Sequence, residues 1–170
     1  MKKIMIILSI IITIIISNKE YESIAIPNEA IRIRVIANSN NLEDQLLKLK
    51  VKDNITSNLY KKLENVDTIE EARNNVKNSI KELDGIVHTT LNNDNYEINF
   101  GNNYFPKKTL NGIEYEEGNY ESLVVKLGEA KGNNWWCVLF PPLCMIEAEY
   151  KDASDVEYKS KVLEILNKYK

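Results

Sequence analysis

The chain has 170 residues, 28% charged and 44% hydrophobic, with a formal net charge of −3. These proportions fit one globular domain with its own core, and slight acidity without a basic run excludes a surface built to neutralise nucleic-acid phosphates. Few glycines and prolines argue against long disordered segments.

Lys2 and Lys3 precede an apolar run, Ile4 to Ile16, interrupted only by Ser9 and Thr13. At about 1.5 Å per residue it falls short of a hydrocarbon core of roughly 30 Å. A basic start and a short apolar stretch form the pattern of a secretory signal. Ser23-Ile24-Ala25 offers a cleavage site and Ser17 a second, neither a clean small-x-small site beside the run. Residues 1–25 therefore read as a signal peptide or a short membrane anchor.

Residues 31–37, IRIRVIA, alternate Ile31, Ile33 and Val35 with Arg32 and Arg34, the period of a half-buried strand. Asn38 to Asn41 stop it, and Asn40 with Glu43 resembles a capping box. Leu42, Leu46 and Leu49, then Val51, Ile55, Leu59 and Leu63, predict a helix over 42–63. Thr68 with Glu71 is a better box, and Ile69, Ala72, Val76, Ile80, Leu83 and Val87 follow at steps of three and four. After Asn92 the period becomes two, with Tyr96, Ile98 and Phe100 on one side. Asn111-Gly112 and Gly118-Asn119 bracket a short strand, 113–116. YESLVVKL (120–127) and WWCVLF are strands joined by GEAKGN, a loop of hairpin length. Ser154 with Glu157 opens a last helix with Tyr158, Val162, Ile165, Leu166 and Tyr169 on one side. The sum is an α+β fold, a mainly antiparallel sheet packed against two or three helices in a single domain over 26–150, followed by a C-terminal helix in 151–170.

NWWCVLFPPLC, Asn134 to Cys144, holds both tryptophans, both cysteines and two of the four prolines. In a strand Trp135, Cys137 and Leu139 face one way and Trp136, Val138 and Phe140 the other. Both faces are apolar, so the strand is central or covered on both sides. Helices are expected on one face only, leaving the other to loops or to a partner. Pro141-Pro142 ends the ladder. Two readings stand: a core strand with a rigid exit, or a partner-binding patch anchored by aromatic residues at the Pro-Pro corner. Cys137 and Cys144 are either a disulfide, as an exported protein invites, or two reduced buried thiols.

Signs of catalysis are sparse. The single histidine, His88, lies four residues after Asp84, the spacing of a helix-end pair rather than of a general base. A Cys–His dyad would need His88 and a thiol in one cleft. No G-x-S-x-G, H-E-x-x-H or phosphate loop occurs, and no metal or cofactor is expected. Arg32 and Arg34 share a strand face, either solvated with packed stems or forked donors for a partner's carboxylates.

IPNEAIRIRVIANSNNLEDQLLKLKVKD (Ile26–Asp53), FPKKTLNG and GNYESLVVKLGEAKGNNWWCVLFPPLC resemble the stage II sporulation protein R family, in the same order and spacing, to about Glu147. Asn40 departs from the family, where an acidic residue is common; the C-terminal tail inherits no role. The resemblance implies an exported signalling protein of endospore-forming bacteria, made in the forespore and acting between the two membranes around it. Its partner there would be a membrane-bound aspartic protease of the mother cell, which removes the pro-sequence of sigma-E. Contact candidates are Trp135, Trp136, Phe140, Pro141 and Pro142, with Arg32, Arg34, Asn38 and Ser39 as polar candidates; any membrane contact would be through an uncleaved leader. The alternative is an exported hydrolase or thiol protein of the cell envelope.

Overall fold

The computed structural model describes residues 26–27, 29–110, 113–149 and 155–169. The leader, the Asn111-Gly112 turn and the Ser154 cap lie outside the described residues. The elements run β1 (Ile31–Ile36), α1 (Leu42–Leu63), α2 (Ile69–Leu91), β2 (Tyr96–Phe105), β3 (Lys108–Leu110), β4 (Ile113–Tyr115), β5 (Gly118–Leu127), β6 (Asn134–Phe140), α3 (Leu143–Glu149) and α4 (Asp155–Lys168). This is the expected α+β class. The main sheet has four strands in the order β2-β5-β1-β6, and β3 and β4 form a separate ribbon.

Pairing within that sheet departs from the simplest reading of the sequence. β5 and β6, read above as a hairpin, are not neighbours; β1 lies between them, parallel to β5 and antiparallel to β6. The remaining pair, β2–β5, is antiparallel, so the sheet is mostly antiparallel. A central strand is buried on both faces, and β1 meets that condition: Ile31, Ile33 and Val35 are inaccessible to solvent on one face and Arg32 is 1% exposed on the other. The loop after β5 instead crosses over the end of β1, where Lys131 N donates to Asn38 O and Gly132 N to Ala37 O. A Cβ on Gly132 would collide with the Ser39 carbonyl, so only glycine permits this approach.

Both faces of the sheet carry a core. On one, Ile31, Ile33, Val35, Leu123, Val125, Cys137 and Leu139 meet α1 and α2 through Val51, Ile55, Leu59, Val76 and Leu83. On the other, Phe105, Tyr120, Trp136 and Val138 pack with Leu143, Ile146, Tyr158, Val162 and Leu166. Helices α3 and α4 thus cover the face that the sequence reading left to loops or a partner. Phe140 also changes sides and joins the α1/α2 core, with its ring 5.0 Å from that of Tyr169. The register shifts between Ile31 and Arg32, which pair with Phe140 and Val138. The extra residue, Leu139, reverses the alternation after it.

The helix starts follow from their caps. Thr68 Oγ1 accepts from Glu71 N, as expected. For α1 the cap is Asn41 and not Asn40: Asn41 Oδ1 accepts from Asp44 N at 2.8 Å. Asn40 Oδ1 accepts from Asn133 N across the β5–β6 loop.

Candidate functional site

The N-terminal half of α1 presents the least expected surface. Leu42, Leu46 and Leu49 have the spacing of one apolar helix face, yet they are 75%, 57% and 41% exposed. The buried stripe is Lys48, Val51, Ile55, Leu59 and Leu63. The step from Leu49 to Val51 explains the difference, because two residues turn about 200° around a helix and start a second stripe on the far side. Leu42, Leu46 and Leu47, with Glu43 and Lys50, line a shallow, mainly apolar depression. That change of phase was the signal in the sequence.

Lys48 takes the core position that a leucine would fill in a regular stripe. It is 6% exposed, and its Nζ donates to Gln45 Oε1 at 2.7 Å and to Asn133 O at 3.2 Å. Burial, and then the neighbouring Lys108, push its ammonium below the ordinary lysine value.

On the α3/α4 face of β1 lies a second unusual group. Arg32 is 1% exposed, which corrects the expectation of a solvated arginine pair available to a partner. Its guanidinium carbon sits 3.3 Å from the Tyr120 ring centre, 5.4 Å from Phe105 and 5.5 Å from Trp136. Arg34, half-buried, stands 5.7 Å from the Phe105 ring, and Lys108 Nζ is 5.2 Å from Trp136. Burial lowers both arginines from their ordinary value, opposed at Arg32 by Tyr120. Arg32 Nε and Nη1 and Arg34 Nε have no hydrogen-bond partner, while Arg34 Nη1 donates to Tyr104 O at 3.2 Å.

The remaining sequence candidates divide by accessibility. Trp136 is 3% exposed, edge-on to Phe105 and Tyr115, and Phe140 and Pro141 are buried. Side chains so placed support a surface from beneath and do not form it. Trp135 and Pro142 keep partial exposure, with Lys52 Nζ 5.3 Å from the Trp135 ring. Asn38 and Ser39 are also partly exposed, but their side chains serve the fold. Ser39 Oγ and Asn38 Nδ2 donate to Asp44 Oδ2 at 2.6 and 2.9 Å, and Asn38 Oδ1 accepts from Glu129 N. These donors, Ser39 first, hold the Asp44 carboxyl below its usual value.

No catalytic pairing is assembled from the residues weighed in the sequence. His88 Nδ1 meets Asp94 Oδ1 at 2.8 Å at the exposed end of α2, and Asp84, its expected partner, accepts from the Tyr96 hydroxyl. Cys137 and Cys144 are buried and unbridged; both thiols approach the Val138 carbonyl, at 3.9 and 3.0 Å. Among the described residues no cluster of His, Cys, Asp and Glu could hold a metal ion, and no helix is long and apolar enough to cross a membrane.

Residues 27–150 match the family of stage II sporulation protein R. The chain is 35% identical over 158 residues to stage II sporulation protein R of Bacillus subtilis (strain 168), covering 85% of this chain and 70% of that protein. No solved structure matches. The match contains the whole main sheet, the leucine stripe and the arginine–aromatic group, and stops before α4, which completes the second core. This chain belongs to the stage II sporulation protein R family and has a role in sporulation.

Proposed function

We propose that the chain is an exported signal from forespore to mother cell, which engages a membrane-bound aspartic protease in the space between the two membranes and favours its active form. That protease then removes the pro-sequence of sigma-E. Family membership supplies the sporulation role, and the basic, apolar start of the chain supports export. The observation that carries a binding role is the leucine stripe of α1. Three large side chains stay in solvent although both faces of the sheet already have filled cores. Apolar side chains grouped on one exposed helix face mark an interaction site. Activation by binding requires higher affinity for the active state of the protease than for its resting state. Trp135, Pro142, Arg34, Asn38 and Ser39 are the residues first named from the sequence that retain accessible surface for such a contact.

The test has two arms. Sporulating cells lacking the chain should accumulate the sigma precursor, and restoring the chain should restore cleavage. The isolated chain, incubated with precursor or with peptidoglycan, should cleave neither. Cleavage by the chain alone would establish the rival reading, an exported hydrolase or thiol protein of the envelope.

A further inference from the structure

The main sheet ends on one side in a long, unprotected strand. In the order β2-β5-β1-β6 the two end strands are β2 and β6. β6 is short, mostly buried and stopped by Pro141. β2 has 10 residues, only the last of them buried, and pairs with β5 in one unbroken register. Natural sheets guard such an edge with lysine, proline, a bulge or brevity, and β2 has none of these. Its single charged residue, Glu97, is held by Lys126 of β5 at 3.0 Å.

Which main-chain groups point outward follows from one hydrogen bond. Gly128 N donates to Asn95 O at 2.8 Å, and these two residues continue the β2–β5 register by one step. Opposed residues of an antiparallel ladder bond in alternate pairs, so Glu97, Asn99, Gly101, Asn103 and Phe105 turn their N–H and C=O to β5. Tyr96, Ile98, Phe100, Asn102 and Tyr104 turn theirs away. Two of these outward groups are used within the chain: Tyr96 N donates to Asp94 O at 2.9 Å, and Tyr104 O accepts from Arg34 Nη1 at 3.2 Å. Among the described residues nothing engages the outward groups of Ile98, Phe100 and Asn102.

The pattern of used and free groups is symmetric about Phe100. When two β2 strands are set antiparallel about that residue, Ile98 faces the second copy's Asn102, Phe100 faces its counterpart, and Tyr96 faces the second copy's Tyr104. Tyr96 N would there donate to the opposing Tyr104 O, and these are the two groups already satisfied within each chain. Every other outward N–H meets an outward C=O. No like charges are opposed, since Glu97 falls opposite Asn103. An unrelated strand has no reason to match the two occupied ends, whereas a second copy matches them by symmetry. We propose that the edge of β2 is a self-association site, joining two copies through an antiparallel β2–β2 pair centred on Phe100. The twofold axis then runs normal to the sheet and places both α1 leucine stripes on the same side of it. The pairing stands without the proposed signalling role.

The test follows the full chain in non-ionic detergent, by sedimentation and by amide hydrogen exchange, over a wide range of concentration. Dimers should form as concentration rises. The Ile98, Phe100, Asn102 and Tyr104 amides should gain protection in step, and that of Tyr96, already bonded, should not respond. Asn102→Pro removes one outward N–H and leaves the β5 ladder intact, so it should weaken the dimer at least about tenfold. Asn102→Ala keeps the main-chain groups and should pair as the wild type does. An unchanged melting temperature in dilute solution identifies the proline effect as lost pairing. If the proline variant does not fold, the exchange pattern of the wild-type chain decides the matter. A chain monomeric at every concentration, dimers that survive Asn102→Pro, or protection gained on α1 instead of β2 would each overturn the proposal. Protection of the β2 amides only on addition of the aspartic protease would give the edge to that partner and overturn it equally.

Discussion

The exposed stripe on α1 separates folding from recognition, and replacing Leu42 and Leu46 together by alanine exploits this. Full burial of a leucine is worth roughly 1.5–3 kcal/mol. With Leu42 75% and Leu46 57% exposed, only about a quarter and under a half of that is at stake in the free chain. Alanine is also the better helix former. The double variant should therefore lose about 1–1.5 kcal/mol, small beside the ~5–15 kcal/mol of a typical domain. Leu59→Ala, at a site with no exposure, should lose about 2–5 kcal/mol and serves as the core control. An interface anchor is worth about 2 kcal/mol or more, so each lost leucine should weaken docking about thirtyfold. Urea unfolding followed by tryptophan fluorescence measures the first quantity. Immunoblots of sigma precursor and product, at matched levels of the chain, measure the second. Wild-type cleavage by the double variant would refute the assignment of this face, as would a stability loss equal to that of Leu59→Ala.

Gly132→Ala should destabilise the chain by roughly 1–3 kcal/mol, because the added methyl meets the Ser39 carbonyl and the Ala37 side chain; a melting temperature equal to wild type would contradict the close approach. The Asp44 carboxyl has a lower pKa folded than unfolded, so its contribution to stability is present above about pH 4 and is lost as pH falls through its depressed value. Urea unfolding across that range should show a decline that Asp44→Asn flattens. Arg73 pairs with Glu121 through two bonds of 2.7 and 2.9 Å, tying α2 to β5; both partners keep part of their surface in water. A double-mutant cycle with Arg73→Ala and Glu121→Ala should give a coupling of about 1 kcal/mol, smaller at high salt.

What could be read from the sequence was mostly local. Thr68 and Glu71 announced α2 through chemistry confined to one turn, and the period-two runs located β2, β5 and β6. The order of strands was not legible, since GEAKGN is short enough for a hairpin and only the glycine approach to Ser39 shows that it crosses β1. Arg32 looked solvated because its neighbours in sequence are polar or aliphatic. The rings that enclose it, from Phe105, Tyr120 and Trp136, come from three distant segments. Phe140 was put on the wrong face because a single bulge inverts all later alternation. In each case the missing information was tertiary.

The placement of β1 sets a condition on how this chain becomes structured. The strand nearest the N-terminus lies in the middle of the sheet, and its partners β5 and β6 come from the last third of the sequence. Its backbone groups stay unpaired until nearly everything up to Phe140 is available. Closure across so many residues is slow, and a bare apolar strand in the interval is open to pairing with other chains. A product interrupted anywhere before β6 would leave one side of that strand unsatisfied, so partial chains should be cleared by proteolysis rather than persist as weakly active fragments.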